Sequence, residues 1–333
     1  MRFPFDFTFT QAVYQAKMKR HGRRYPTVCM LEPLYTCNLA CRGCTPERHT
    51  GKLADRLSVV QCLQAVEEAK VPIVSVCGGE PMLYPELPEL LSQLIARGKY
   101  IILCTNAQLL DTKFFGIVPP DRHIFVNVHL DGMEKTHDYV TNRPGTWQRS
   151  IAMIRESKQR GYLTIVNCTV YKETDVEELE ELCKLLTEIG IDGILVTPGY
   201  QFENVHENVF LTAQDTSKKF KRIKEFTHKY KITSTPAFLE FCAGERKLTC
   251  APYSTVNYTP HGWKAPCYLV DSQEFYPDFK TFWNSVDWDY WEKHEDARCA
   301  NCRMHSGFEQ TAVEQAFNSP MDILKLAAWQ FSG

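Results

Sequence analysis

The sequence predicts an α/β protein: a partial (β/α)6 barrel of the TIM type, open on one side, followed by a small cysteine-rich C-terminal domain. Two observations carry this. After about residue 25, short apolar, β-rich runs alternate with longer segments of helical periodicity, the pattern of repeated βα units around a parallel sheet. From about Pro236 the pattern gives way to Gly-, Pro-, Cys- and aromatic-rich sequence, as in Phe238 to Val270. Three stretches result: a basic amphipathic segment over 1–24, the barrel over 25–235 and the cysteine-rich domain over 236–333.

The candidate strands, in order, are Thr27 to Leu31, Ile73 to Cys77, Tyr100 to Cys104, His123 to Leu130, Leu163 to Val170 and Gly193 to Val196. Between them, Ser58 to Lys70 places Val59, Cys62, Leu63, Val66 and Ala69 on one helical face, with Ser58 as N-cap. Glu86 to Arg97, Thr146 to Arg160 and Asp175 to Gly190 follow the same period. In a parallel barrel the chemistry belongs at the C-terminal ends of the strands.

The chain has 333 residues, with Lys+Arg 38 against Asp+Glu 40, so no global electrostatic pull toward nucleic acid is implied. No apolar run approaches the roughly 20 residues that span a bilayer, and the N-terminus lacks a secretion-signal layout. A cytoplasmic protein is expected. Fourteen cysteines in such a chain point to thiols and metal ligands, not to disulfides.

Cys37-x3-Cys41-x2-Cys44 lies just after the first strand. That spacing lets three thiolates curl around one face of an iron–sulfur cubane and leaves a fourth iron open to a small molecule. Structural zinc is the alternative, with His49 as fourth ligand. A second set, Cys250, Cys267, Cys299 and Cys302, suits tetrahedral zinc or a fully ligated cluster. Cys29, Cys62, Cys77, Cys168, Cys183 and Cys242 lie in apolar runs, where a thiol is a small hydrophobe.

CxxxCxxC in the loop after strand one resembles the signature of the radical S-adenosylmethionine superfamily. Cys77 to Pro81, CGGEP, resembles that family's turn against the methionine ammonium, which implies cofactor roles for Gly78, Gly79 and Glu80. Cys104 to Ala107 and Val128 to Gly132 stand where the family faces the adenosine, which implies Asn106, His129 and Asp131, with Asn167 on strand five, as ribose partners. The resemblance implies a catalytic 4Fe-4S cluster and S-adenosylmethionine as cofactors, with reductive cleavage to a 5′-deoxyadenosyl radical. The second cysteine set resembles a twitch domain, which implies an auxiliary 4Fe-4S cluster.

Across nearly the whole chain the sequence is similar to the hopanoid-biosynthesis adenosylhopane synthase family, through segments such as TPGYQFE, GWKAPCYLV and CANCRMHSGFEQTAV. The resemblance implies addition of the adenosyl radical to the alkene of a hopene such as diploptene, a triterpene lipid substrate, and an electron donor such as flavodoxin or ferredoxin. Cys104, at a strand end, would be a hydrogen-atom donor to the product radical. Val140 to Trp147 departs from the family pattern in a loop expected to border the substrate. Two alternatives remain: a twitch-type dehydrogenase or peptide-modifying enzyme that abstracts hydrogen, and a zinc-binding module without catalysis.

A lipid substrate gives the N-terminal segment a role. Phe3, Phe5, Phe7, Phe9, Val13 and Tyr14 with Lys17, Lys19, Arg20, Arg23 and Arg24 make a candidate interfacial element for peripheral membrane association, against packing on the barrel. Pro277 to His294, rich in tryptophan, is a candidate cavity lining or a small-domain core.

Overall fold

The structure, a computed structural model, describes residues 1–332. Nine strands form one sheet: β1 (Val28–Leu31), β2 (Ile73–Val76), β3 (Tyr100–Thr105), β4 (Ile124–His129), β5 (Leu163–Val170), β6 (Gly193–Pro198), β7 (Thr255–Thr259), β8 (Gly262–Lys264) and β9 (Phe275–Tyr276). Their spatial order is β6-β5-β4-β3-β2-β1-β7-β8-β9. β1 to β6 run parallel in chain order, with Val28 opposite Ile73 and His129 opposite Asn167. The expected partial barrel is therefore present, and every strand boundary falls within two residues of expectation.

The helices between the strands follow their apolar stripes. Val59–Ala69 starts at a capping box, with Ser58 accepting from Gln61 N and the Gln61 side chain returning to Ser58 N. Leu87–Ala96, Thr146–Gln159 and Val176–Ile189 also form. They bury their apolar faces on the outward-facing strand residues Leu31, Val76, Leu103, Val128 and Val166.

Inward-facing residues form layers. The lowest is apolar: Ile73, Tyr100, Phe125 and Ile165. It is plugged by the helix Phe5–Lys19, whose Phe7 ring lies 5.0 Å from Tyr100 and 5.4 Å from Phe125. The N-terminal segment thus packs on the barrel through Phe7, while Phe5, Phe9 and Val13 stay exposed. Arg23 and Arg24, expected to meet lipid headgroups, instead pair with Glu292, Arg24 Nη2 lying 2.7 Å from Glu292 Oε2. A half-buried carboxylate competes for guanidinium more strongly than a screened membrane surface does.

The C-terminal stretch is not stapled on separately. β7 pairs in parallel with β1, Val28 opposite Thr255, and β8 and β9 continue the sheet antiparallel. Its aromatics build a core continuous with the barrel, Trp263 stacking on Phe282 at 5.7 Å and Phe282 meeting Trp288 edge-on. The tryptophan-rich stretch therefore mostly fills core, apart from Trp291 and His294, which reach a cavity described below. Helices Pro236–Cys242, His305–Ala316 and Pro320–Phe331 form where no period was legible. His305–Ala316 buries Gln310 and Thr311 beside Phe308 and Ala312, which blurs its stripe. Among the described residues no helix is long and apolar enough to cross a membrane.

Candidate active site

β1 ends at Leu31 and the chain crosses the C-terminal rim of the sheet as the loop carrying Cys37, Cys41 and Cys44. The turn after β2 holds this loop by its backbone: Gly79 N donates to Leu34 O at 2.9 Å and Glu80 N to Thr36 O at 2.8 Å. A Cβ on Gly79 would stand 2.0 Å from Thr36 O, and one on Gly78, at φ +104°, 2.5 Å from Leu34 O. Both glycines are thus required by close approach to the cysteine loop itself. Gly43 plays the same part on the other side, where a Cβ would meet the Tyr171 hydroxyl at 2.6 Å.

The three thiols sit close enough to oppose one another's ionisation. Burial is the largest cause, pushing Cys37 up to about 11 and Cys41 and Cys44 also upward, with the neighbouring thiols adding for Cys37 and Cys41. Three buried thiols become thiolates together only if positive charge sits among them, which an iron cluster supplies. Asn106 shapes the loop, its Nδ2 donating to Asn38 Oδ1 at 2.7 Å and to Cys37 Sγ at 3.7 Å.

Several residues expected to touch the cofactor also hold the scaffold. Glu80 is buried, and its carboxylate accepts from Met82 N, Thr105 Oγ1 and Asn106 N at 3.1, 2.7 and 2.9 Å. It thereby ties the Gly-Gly turn to the end of β3, with burial raising its pKa despite those bonds. Asn106 is taken up by Asn38, Cys37 and, through Oδ1, Gln108 N. Asp131, wholly buried, accepts from Thr169 N at 2.7 Å and lies 2.5 Å from His129 Nε2. It joins β4 to β5 through Oδ1, while the buried Oδ2 faces His129. Burial works against charging His129, but Asp131 outweighs it and raises its pKa. His137, pushed down to about 4 by burial, is neutral and accepts from Asp131 N.

Above the apolar layer the lumen turns polar. Cys104 points inward between Ser75 Oγ and Asn127 Nδ2, each at 3.5 Å. The Oδ1 atoms of Asn127, Asn167 and Asn257 are buried without a partner. Unpaired buried acceptors are costly, and a bound molecule rich in N–H and O–H donors, such as an amino acid ammonium with ribose hydroxyls, would satisfy them. Asn167, expected as a ribose partner, is one of these three. Ser75, Asn127 and Asn257 were legible only as polar residues inside apolar strands, at positions of period two.

The rim over this lumen is mostly aromatic. Tyr171, Tyr200, Phe202, Val209, Tyr268 and Leu269 cluster there, with Met30 and Met304 against them. Val140 belongs to the same cluster, and its carbonyl accepts from Arg42 N at 2.9 Å, so the start of the divergent 140–147 loop borders the cysteine loop. Arg48, buried beneath, pairs with Glu32 at 2.8 Å and sits under the Phe202 ring.

The C-terminal cysteines converge as well. Cys250, Cys267, Cys299 and Cys302 all line one cavity of about 490 Å³, with His294 and Gly307. Ala251 N donates to Gly307 O at 2.7 Å, and a Cβ on Gly307 would stand 3.0 Å from Cys250 Sγ. Among the described residues no three His, Cys, Asp or Glu side chains close on a single-ion site. The four thiols are the donor set of a fully ligated cluster or of tetrahedral zinc.

A six-unit parallel barrel with three thiols at its C-terminal rim defines the class. Residues 31–186 match the Radical SAM superfamily and residues 194–326 match a domain of unknown function, DUF3463. The chain carries a radical SAM domain, and the family's cofactors are a 4Fe-4S cluster and S-adenosylmethionine. It is similar to pre-heme d1 synthase of Dinoroseobacter shibae (26% identical, 47% of this chain and 39% of that protein). It is also similar to AdoMet-dependent heme synthase of Oleidesulfovibrio alaskensis (23% identical, 66% of this chain and 54% of that one). The chain thus spans about half the length, or less, of these relatives. Among solved structures, SuiB of Streptococcus suis bound to its precursor peptide SuiA shares the fold, with TM-score 0.68 at 17% identity over 92% of this chain and 76% of that one. These relatives are heme synthases and a protein bound to a precursor peptide; none is named for hopanoid chemistry.

Proposed function

We propose that this protein adds a 5′-deoxyadenosyl radical to the alkene of a hopene such as diploptene, giving adenosylhopane. In this reading Cys37, Cys41 and Cys44 hold the catalytic 4Fe-4S cluster, and Cys250, Cys267, Cys299 and Cys302 an auxiliary one. The cofactor pair, when bound, supplies the carbon radical by one-electron cleavage of the sulfonium C5′–S bond. The chain's residues do the rest. The Gly78–Gly79 turn and Glu80 fix the loop, Asn127, Asn167 and His129 receive the polar cofactor, and the apolar rim shuts out water.

Addition to the double bond forms one C–C bond and leaves a tertiary carbon radical. Cys104 Sγ–H then gives that carbon a hydrogen atom, and the resulting thiyl is restored by an electron from a flavodoxin or ferredoxin and a proton. The observation that carries the choice of an apolar alkene is the aromatic cluster over the lumen, apolar apart from the hydroxyls of Tyr171, Tyr200 and Tyr268. On the outside of the fold, Phe5, Phe9 and Val13 form the stripe that would lean on a membrane holding the lipid.

Anaerobic incubation with reductant, S-adenosylmethionine and a hopene, followed by mass spectrometry, tests the reading. A product heavier by one adenosyl unit is expected. Free 5′-deoxyadenosine with an oxidised or cross-linked substrate would favour a second reading, hydrogen abstraction from a peptide or tetrapyrrole, for which the likeness to heme synthases and to the SuiB fold speaks.

A further inference from the structure

Four cysteines fill the four corners of a cubane, so any further polar group in their cavity acts on the cluster without ligating it. His294 is such a group. It lines the same cavity as Cys250, Cys267, Cys299 and Cys302. Its Nε2 is buried and has no hydrogen-bond partner in the protein.

Its orientation is fixed from three sides. The backbone is in the left-handed region at φ +58°, just after the helix Trp288–Glu292, and His294 N donates to Trp291 O at 3.2 Å. The imidazole stands edge-on to Phe308, ring centroids 5.4 Å apart at 76°. Phe308 is itself fully enclosed, in the helix that carries Gly307 against Cys250. A buried nitrogen held this firmly and left unpaired is costly unless the cavity's occupant supplies a partner.

We infer that His294 donates a hydrogen bond from Nε2 to a sulfur of a cluster held by the four C-terminal cysteines, and so sets that cluster's potential. The inference rests on reading these four thiols as an auxiliary 4Fe-4S site. Hydrogen bonds to cluster sulfurs favour the reduced, more negative state, so the donor raises the potential. His294 is a positioning residue here, since it touches neither substrate nor the cleaved cofactor.

The test uses the full chain carrying Cys37→Ala, Cys41→Ala and Cys44→Ala, reconstituted anaerobically so that only the second site can hold iron. With His294 intact, about four irons per chain are expected. His294→Ala should retain that iron and shift the oxidised-to-reduced ratio about tenfold toward oxidised at fixed potential, or about 59 mV for a one-electron couple. His294→Gln, which keeps an N–H donor, should recover part of the shift. The weak imidazole nitrogen hyperfine coupling of the reduced parent should vanish in His294→Ala.

An unchanged midpoint in His294→Ala overturns the inference while the auxiliary-site reading stands. Strong, directly bonded nitrogen coupling with loss of iron on substitution overturns it in favour of ligation. A parent that binds zinc, or no iron at all, overturns both.

Discussion

Cys37, Cys41 and Cys44 come from one short loop, whereas Cys250, Cys267, Cys299 and Cys302 are gathered from three segments spread over about fifty residues. The first set is shaped from outside, by glycines that let the β2 turn and Tyr171 come within contact of the loop. The second exists only once β7 has joined β1 and Ala251 has met Gly307. The first adjoins a lumen lined with unpaired acceptors; the second lines a cavity with four thiols and an imidazole. Three ligands beside an open lumen suit chemistry, and four ligands suit electron storage or structure.

That contrast can be broken, beginning with the largest effect. Cys41→Ala should abolish 5′-deoxyadenosine formation, a loss of at least about a thousandfold, because two thiolates do not retain the cube. Wild-type turnover in that variant, measured by chromatography, would remove the first loop from catalysis.

Gly79→Ala drives a methyl group into Thr36 O and should cost about 3 kcal/mol of stability in anaerobic thermal unfolding, with the first cluster lost before the second. Simultaneous loss would mean that the two sites share one cooperative unit.

Cys104→Ala should leave cofactor cleavage in place and lower the yield of saturated adduct about tenfold. Equal yields would exclude this thiol as hydrogen donor. Its neighbours Ser75 and Asn127 keep the pocket polar either way.

The smallest effect lies on the C-terminal side. Glu309 accepts from Thr235 N and Oγ1 at the start of Pro236–Cys242, and burial raises its pKa to about 7 in spite of those bonds. The folded state therefore holds the proton more tightly than the unfolded chain does. Its contribution to stability is full below the ordinary glutamate range, falls as pH climbs toward 7 and is level above it. Glu309→Gln should flatten this fall, gaining of order 2 kcal/mol at pH 8. Denaturant titrations at pH 5 and pH 8 with unchanged difference between them would show that Glu309 is ionised without penalty.

How much was legible follows the same division. The six strands and four of the helices were readable because each element's period appears within its own residues, and Ser58 even marked its cap. The loop cysteines were readable because their spacing is local. Glu80, Asn106 and Asp131 were legible as polar groups at strand ends, but their partners within the protein were not. A carboxylate at a strand end looks the same in sequence whether it faces a ligand or, as here, backbone N–H groups of the next strand.

Sequence by itself determined the alternating βα elements and the three thiols after the first strand, since each element's period and the thiol spacing are local, and repeated βα units imply a parallel barrel. Only tertiary structure decided that Thr255–Thr259 extends the same sheet, that Asn127, Asn167 and Asn257 share one lumen, and that His294 shares a cavity with four cysteines. Those contacts join residues tens to hundreds of positions apart, and no local period encodes which buried atom will be left without a partner.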